Sequence, residues 1–169
     1  MVSYTKRGQR VCFNPVLDIV HGDIKPQNVL IFSNEAGGYI ARVADFGYST
    51  QWALLDDLIQ MPRSRPWDAP EWHHRGFTPA QAMKMDSYSF GMVVLWLLGY
   101  ACLDDSDELF KRDLNTASEA ADLSRPLADS ISGGDKLDLN QFFDATLTRD
   151  ETDRCSDFHH LQELLTAKK

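Results

Sequence analysis

The sequence predicts a mainly α-helical fold that carries one small β-hairpin near its beginning. Two short β-prone runs, residues 29–32 and 39–43, flank a polar segment that ends in Gly37-Gly38, a pair suited to a tight turn. Residues 86–100 are nearly all apolar and too many for one strand, so a buried helix is predicted there. These two features predict a hairpin first and helices after it.

The segments around these elements are less regular. Residues 1–20 are a polar lead-in that Pro15 interrupts. Residues 45–79 are rich in proline and show little periodicity, and so long an irregular segment in a compact domain indicates a functional loop.

The second half of the chain is predicted to form several short helices. Residues 104–150 are acidic, and Pro126 and the run Ser132-Gly133-Gly134 are expected to break the helices there. Apolar residues at helical spacing close the chain. The predicted helices cover residues 107–114, 117–123, 137–147 and 157–169.

Composition excludes several classes of protein. The 169 residues include 25 acidic and 17 basic side chains, a net charge of -8, which argues against a nucleic-acid binder with a basic face. The three cysteines form no C-x-x-C pair, so a reducing intracellular setting, cytoplasmic or nuclear, is expected. The most apolar run, residues 90–103, is shorter than the roughly 20 residues of a membrane span, so no span is expected.

Residues 21–28, directly before the first β-prone run, read H-G-D-I-K-P-Q-N. Phosphoryl transfer needs a carboxylate to orient the attacking hydroxyl, a cation near the phosphate, and an oxygen ligand for magnesium. Asp23, Lys25 and Asn28 supply one of each. The run resembles the H-R-D-x-K-x-x-N catalytic loop of protein kinases, with Gly22 in place of the arginine. The resemblance implies that Asp23 and Lys25 are catalytic, that Asn28 binds metal, and that His21 is structural.

Residues 45–47 read D-F-G and follow the second β-prone run. They resemble the metal-binding motif of the same family, which implies that Asp45 binds Mg²⁺ at the nucleotide phosphates. Phe46 and Gly47 then have structural roles, as a packing switch and as the residue that permits the turn. The resemblance also implies that Leu30 lies under the adenine of ATP and that Lys25 contacts the phosphates.

Two further motifs imply structural residues. Residues 69–71 read A-P-E, which resembles the end of a kinase activation segment, and Glu71 is expected to form a buried ion pair with Arg154. Residues 86–91 read D-S-Y-S-F-G and resemble the start of the central kinase helix. There Asp86 is expected to cap the helix and to bind the backbone of the catalytic loop.

The resemblance also indicates the substrate class. Lys25, together with Ser64 five residues before the A of A-P-E, is typical of serine/threonine kinases, so Ser64 is expected to face the substrate. Gly22 lacks the guanidinium that usually receives an activation-loop phosphate, so control by that route is not expected.

The resemblance divides the chain into the lead-in, residues 1–20, and a kinase C-terminal helical lobe, residues 21–169. The lobe comprises the catalytic loop 21–28, an activation segment 45–71, the central helix 86–100 and a helical part 104–169. The implied partners are ATP, Mg²⁺ and a protein substrate. No glycine-rich loop or strand lysine is found before His21, so weak or absent ATP binding and little activity are expected of the chain alone. The exposed lobe interface is expected to favour a partner or self-association.

Two other functions fit part of the pattern. A catalytically inactive kinase-like binding or scaffold module would fit the missing upstream motifs, whereas Asp23, Lys25 and Asp45 favour an enzyme. Phosphotransfer to a small molecule such as choline would fit the H-G-D run, but the D-F-G and A-P-E motifs favour a protein kinase.

Overall fold

The computed structural model contains two small antiparallel ladders followed by helices. The strands are β1 (Ile19–Val20), β2 (Val29–Ser33), β3 (Tyr39–Val43) and β4 (Thr50–Gln51). The helices are α1 (Pro79–Cys102), α2 (Ala117–Ile131), α3 (Leu139–Leu147) and α4 (Phe158–Leu164), with short 3₁₀ turns at Pro26–Asn28, Phe46–Tyr48 and Glu151–Asp153. The structure describes residues 19–35, 37–51, 58–102, 117–131, 138–148 and 150–166.

Some predicted features lie outside these residues. They are most of the lead-in, the helix at 107–114 and the glycine break at 132–134. The helix predicted over 157–169 ends at Leu164 in α4, where the backbone N–H of Leu165 caps it by donating to the carbonyl of Gln162.

The predicted hairpin is present as β2 and β3. Its register pairs Val29 with Val43 and Ser33 with Tyr39. Gly37 adopts a left-handed φ of 79°, a conformation that favours glycine in the turn. Because Val29 and Val43 are the last pair, the loops that precede β2 and follow β3 meet at one end of the hairpin.

The hairpin also exposes apolar side chains. Large apolar groups that face solvent on β2 and β3 form a surface of the kind that packs against other protein. They are Leu30, Ile31, Phe32, Tyr39 and Ile40.

A second ladder was not predicted. β1 pairs with β4 through Ile19↔Gln51 and Val20↔Thr50. Strands of two residues carry no readable alternation, so only the long-range pairing reveals them. This ladder ties the chain just before His21 to the segment that follows the D-F-G motif.

The central helix α1 begins at Pro79, so the predicted start at Asp86 was wrong. Thr78 and Gln81 form a reciprocal cap: the Thr78 N–H donates to Gln81 Oε1 at 3.1 Å, and the Gln81 N–H donates to Thr78 Oγ1 at 3.4 Å. This capping box, followed by proline at the first helical position, is the local start signal. Asp86 therefore lies inside α1, and its predicted role as helix cap is corrected. Among the described residues, no helix is both long and apolar enough to cross a bilayer.

Helix α2 continues through Pro126, although proline was predicted to break it. Pro126 is exposed, whereas Ala120, Leu127 and Ala128 are buried on the opposite side. α2 packs against α3 and α1. Burial of this apolar face outweighs the backbone hydrogen bond that proline forfeits.

Gly91 allows α1 and α3 to approach closely. A Cβ at this buried position would lie 2.5 Å from Thr146 Oγ1 and 2.8 Å from Leu147 Cδ2. We expect Gly91→Ala to lower the free energy of unfolding by about 1–3 kcal/mol through overpacking, as measured by urea denaturation. Helix propensity alone predicts the opposite, a gain in stability of about 1 kcal/mol. The sign of the measured change therefore shows whether overpacking or helix propensity dominates at position 91. Leu97→Ala, at an exposed position on α1, serves as the control and should change stability less.

Candidate active site

The loop that begins at His21 is held on the central helix. The backbone N–H groups of His21 and Gly22 donate to Asp86 Oδ2 and Oδ1 at 2.6 and 3.0 Å. Burial raises the pKa of Asp86 to about 7, although these two hydrogen bonds oppose the rise. Asp86 thus makes the loop contact that the sequence predicted, from inside α1 rather than from its end.

The His21 side chain links this loop to the D-F-G segment. Its Nδ1 accepts a hydrogen bond from the Asp23 N–H at 3.2 Å, and its Nε2 donates to the carbonyl of Ala44 at 3.1 Å. The ring meets Phe46 edge to face, with centroids 5.1 Å apart. Burial lowers the pKa of His21, so the neutral imidazole joins the two segments. The Ser49 hydroxyl also holds the loop, because it donates to the carbonyl of His21 at 3.1 Å.

Three side chains converge on the carboxylate of Asp23. Lys25 Nζ lies 2.7 Å from Oδ2, and Ser64 Oγ donates to Oδ1 at 2.6 Å. Asn28 Nδ2 donates to Oδ2 at 3.1 Å and to the Asp23 carbonyl at 2.8 Å. Burial acts to raise the pKa of Asp23, but hydrogen bonds from Lys25, Ser64 and Asn28 and the charge of Lys25 outweigh it and lower the pKa. Asp23 is therefore ionised at neutral pH.

Asn28 and Asp45 flank the open end of the hairpin ladder, beside the Val29–Val43 pair. The Ala44 N–H donates to the Asn28 carbonyl at 2.7 Å, which brings Asp45 beside the 3₁₀ turn of Asn28. Within the described part of the chain, the Asn28 side chain makes its hydrogen bonds through Nδ2, which leaves the amide oxygen available. Asp45 is exposed, and its Oδ1 accepts from the Gly47 N–H at 3.2 Å. One carboxylate and one amide oxygen suit Mg²⁺, which binds few protein oxygens and keeps water or phosphate as its other ligands.

The turn at Asp45 has a left-handed backbone, with φ at 61°. Aspartate tolerates this region because its side chain hydrogen-bonds locally, here to Gly47. Gly22 is also left-handed, with φ at 82°, and a Cβ there would meet the Tyr48 carbonyl at 3.2 Å. A larger residue than glycine at position 22 would therefore be strained in this conformation.

Leu30 lies on β2 opposite Arg42, with 47% of its surface exposed. Its predicted contact with adenine stays a prediction.

Glu71 and Arg154 form a bidentate ion pair in which the arginine is buried and the glutamate is partly buried. Arg154 Nη1 and Nη2 donate to Glu71 Oε1 and Oε2, the second at 3.0 Å. The Arg154 Nε donates to the Thr148 carbonyl at 3.2 Å, and the guanidinium lies 4.9 Å from the centroid of the Tyr88 ring. The Arg154 side chain is fully buried. This is the pair that the sequence predicted.

Asp68 has a buried side chain that the sequence does not predict. Its side chain is 8% exposed, and burial raises the pKa of its carboxyl. An acidic residue in an irregular, proline-rich segment gives no local signal of burial. Only the packing of residues 61–72 shows that the Asp68 side chain is buried.

The buried Asp86 makes folding depend on pH. Its pKa of about 7 lies well above the ordinary 3.8, so the folded state holds the proton that the unfolded state releases. We expect this contribution to be complete below about pH 4 and to be lost as the pH rises through about 7. Urea denaturation from pH 4 to 8 gives the free energy of unfolding. The difference in this energy between the wild type and Asp86→Asn measures the contribution of the Asp86 carboxyl at each pH. A difference that does not change with pH would contradict the assignment.

Comparison with known proteins gives the family. The family model described as the protein kinase domain matches residues 5–167. A PR5-like receptor kinase of Arabidopsis thaliana is 31% identical over 128 residues, which cover 69% of this chain and 18% of the relative. The G-type lectin S-receptor-like serine/threonine-protein kinase SD2-5 of the same plant is 39% identical over 83 residues, covering 48% and 9%.

A third relative, the MDIS1-interacting receptor like kinase 1 of Arabidopsis thaliana, is 38% identical over 88 residues, covering 52% of this chain and 8% of its own length. The chain spans at most 18% of the length of these three relatives. Because the family model covers nearly the whole chain and its motifs surround Asp23, the chain belongs to the protein kinase domain family.

Proposed function

We propose that this chain carries the phosphoryl-transfer residues of a serine/threonine protein kinase. The observation that carries the proposal is the hydrogen bond from the Ser64 hydroxyl to Asp23 Oδ1 at 2.6 Å. It is the contact that a substrate hydroxyl needs in order to be oriented for attack. The carboxylate of Asp23 therefore has the geometry and the ionised state required of the residue that orients the acceptor.

The roles follow from the contacts around Asp23. Asp23 orients the acceptor hydroxyl and accepts its proton as the oxygen attacks the phosphorus. Lys25, whose ammonium lies 2.7 Å from Asp23, supplies positive charge beside the transferred phosphate. Asn28 holds the Asp23 carboxylate in place through Nδ2.

The proposed cofactors are ATP and Mg²⁺. Asn28 and Asp45 would hold the metal through one amide oxygen and one carboxylate, at the hairpin end where their backbones meet. Magnesium supplies charge that neutralises the phosphate oxygens. Asp45 keeps its orientation through the hydrogen bond from Gly47.

Two observations support a protein hydroxyl as the acceptor. The relative SD2-5 is a serine/threonine-protein kinase by name. Ser64, an aliphatic hydroxyl, reaches Asp23 without displacing Lys25 or Asn28, so the site accommodates a short hydroxyl side chain.

The test is phosphotransfer from labelled ATP by the full-length gene product that contains this chain. Matched peptides should carry serine, threonine or tyrosine as their single hydroxyl. We expect phosphate on serine and threonine peptides, and loss of transfer when magnesium is removed with EDTA and restored by excess Mg²⁺. Label on tyrosine alone, or transfer that EDTA does not affect, would overturn the proposal.

A further inference from the structure

The peptide unit that joins His21 to Gly22, directly before Asp23, is held from two sides. The Gly22 N–H donates to Asp86 Oδ1 at 3.0 Å. The His21 carbonyl, the other polar group of this peptide unit, accepts from the Ser49 hydroxyl at 3.1 Å. Because a peptide unit is planar, the two hydrogen bonds together fix the orientation of its plane. They therefore fix the direction in which the chain enters Asp23.

Gly22 makes this peptide unit depend on hydrogen bonds from outside the loop. Its φ of 82° lies in the region that glycine visits freely, and glycine occupies negative φ about as readily. Steric restriction at Gly22 is thus too weak to fix the peptide plane. A Cβ at this position would meet the Tyr48 carbonyl at 3.2 Å, so a larger side chain cannot restrict it without strain.

The two groups that hold the peptide unit lie in different parts of the fold. Asp86 is buried inside α1, in the core. Ser49 is half-buried at the end of the 3₁₀ turn that follows Asp45, where its N–H donates to the Phe46 carbonyl at 3.1 Å. Its hydroxyl therefore links the orientation of Asp23 to the position of the segment that carries Asp45.

We propose that Ser49 is a positioning residue for phosphoryl transfer. Its hydroxyl fixes the His21–Gly22 peptide and thereby orients the Asp23 carboxylate toward the acceptor. The inference rests on the proposed function, because it assigns Ser49 to the reaction of that site. Ser49 acts through Asp23, so its loss should slow the chemical step and leave the binding of ATP and peptide unchanged.

The first test is steady-state phosphotransfer by the full-length gene product. Ser49→Ala should lower kcat about fivefold, the effect of one neutral hydrogen bond. The KM values for ATP and peptide should stay within about twofold of the wild type. Ser49→Thr keeps the hydroxyl and should retain the wild-type kcat. Ser130→Ala is the control, because it removes a hydroxyl that donates to the Leu127 carbonyl at 2.8 Å from an exposed position on α2.

A double variant tests whether Ser49 acts through Asp23. In the Asp23→Asn background, Ser49→Ala should lower kcat no further, because two residues that act as one unit are not additive. A fivefold loss in both backgrounds would overturn the inference. An equal loss in Ser49→Thr and Ser49→Ala would also overturn it, since packing at position 49 and not the hydroxyl would then set the rate.

Hydrogen exchange separates this inference from the proposed function. Amide exchange in the fragment that contains residues 21–23 should be about fivefold faster in Ser49→Ala than in the wild type or Ser130→Ala. Unchanged exchange would overturn the inference, whether or not phosphate is transferred. If exchange responds to Ser49→Ala but the wild type phosphorylates no peptide, the proposed function fails and the hold of Ser49 on the loop is confirmed.

Discussion

Asp23→Asn is expected to lower kcat for peptide phosphorylation by about 10²–10⁴-fold. The amide keeps the shape of the side chain but loses the charge and the ability to accept a proton. It also faces Lys25 Nζ, now 2.7 Å from a neutral group. The measurement is steady-state phosphotransfer by the full-length gene product with saturating magnesium and ATP.

A second readout separates this role from metal binding. Asn28 and Asp45, not Asp23, are the proposed metal ligands, so the KM for ATP should change little in Asp23→Asn. Asp122→Asn, at an exposed position on α2, makes the same chemical change away from the site and should retain activity. Transfer by Asp23→Asn at a rate close to the wild type would remove Asp23 from the chemistry.

Glu71→Ala is expected to destabilise the fold by about 3–5 kcal/mol. The Arg154 side chain is fully buried, so loss of Glu71 leaves a positive charge in the interior without its carboxylate. The guanidinium keeps the Thr148 carbonyl and the Tyr88 ring, which do not neutralise it. The free energy of unfolding from urea denaturation gives the value.

The exposed contact between His159 Nδ1 and Glu163 Oε1 on α4, at 3.4 Å, provides the comparison. Its side chains are 54% and 63% exposed, and Glu163→Ala should change stability by less than about 1 kcal/mol. The double variant Glu71→Ala/Arg154→Met should be more stable than Glu71→Ala, because the unpaired charge is gone. If Glu71→Ala and Glu163→Ala lowered the free energy of unfolding equally, burial of Arg154 would not explain the contribution of the Glu71–Arg154 pair.

Two helices extend beyond the bounds that local sequence pattern predicts for them. The apolar run predicts a helix start at Asp86, whereas the capping box of Thr78 and Gln81 sets the start at Pro79. Pro126 was read by its local propensity, but α2 buries Leu127 and Ala128 beside it. In both cases packing against other helices extends the helix beyond the segment with the strongest local pattern.

Some residues of the candidate site can be predicted from local sequence, and others only from contacts between distant segments. Asp23, Lys25 and Asn28 are predictable as a group because phosphoryl transfer needs these residue types together, and they lie within one loop. The hydrogen bond from Ser64 to Asp23 could not be derived from local pattern, because the two residues lie 41 positions apart. The burial of Asp68 had no local signal at all.

Patterns in the sequence predict the hairpin, the buried central helix, the candidate phosphoryl-transfer residues and the pairing of Glu71 with Arg154. The hairpin and the helix follow from patterns of a few residues. The site residues and the ion pair follow from motifs that stand in the same order as in protein kinases. The folded chain adds that Asp86 binds the loop from within α1, that Ser64 meets Asp23, and that the Asp68 side chain is buried. Burial and hydrogen bonding between distant segments fix these features, because desolvation depends on what packs over a residue and not on its neighbours in sequence.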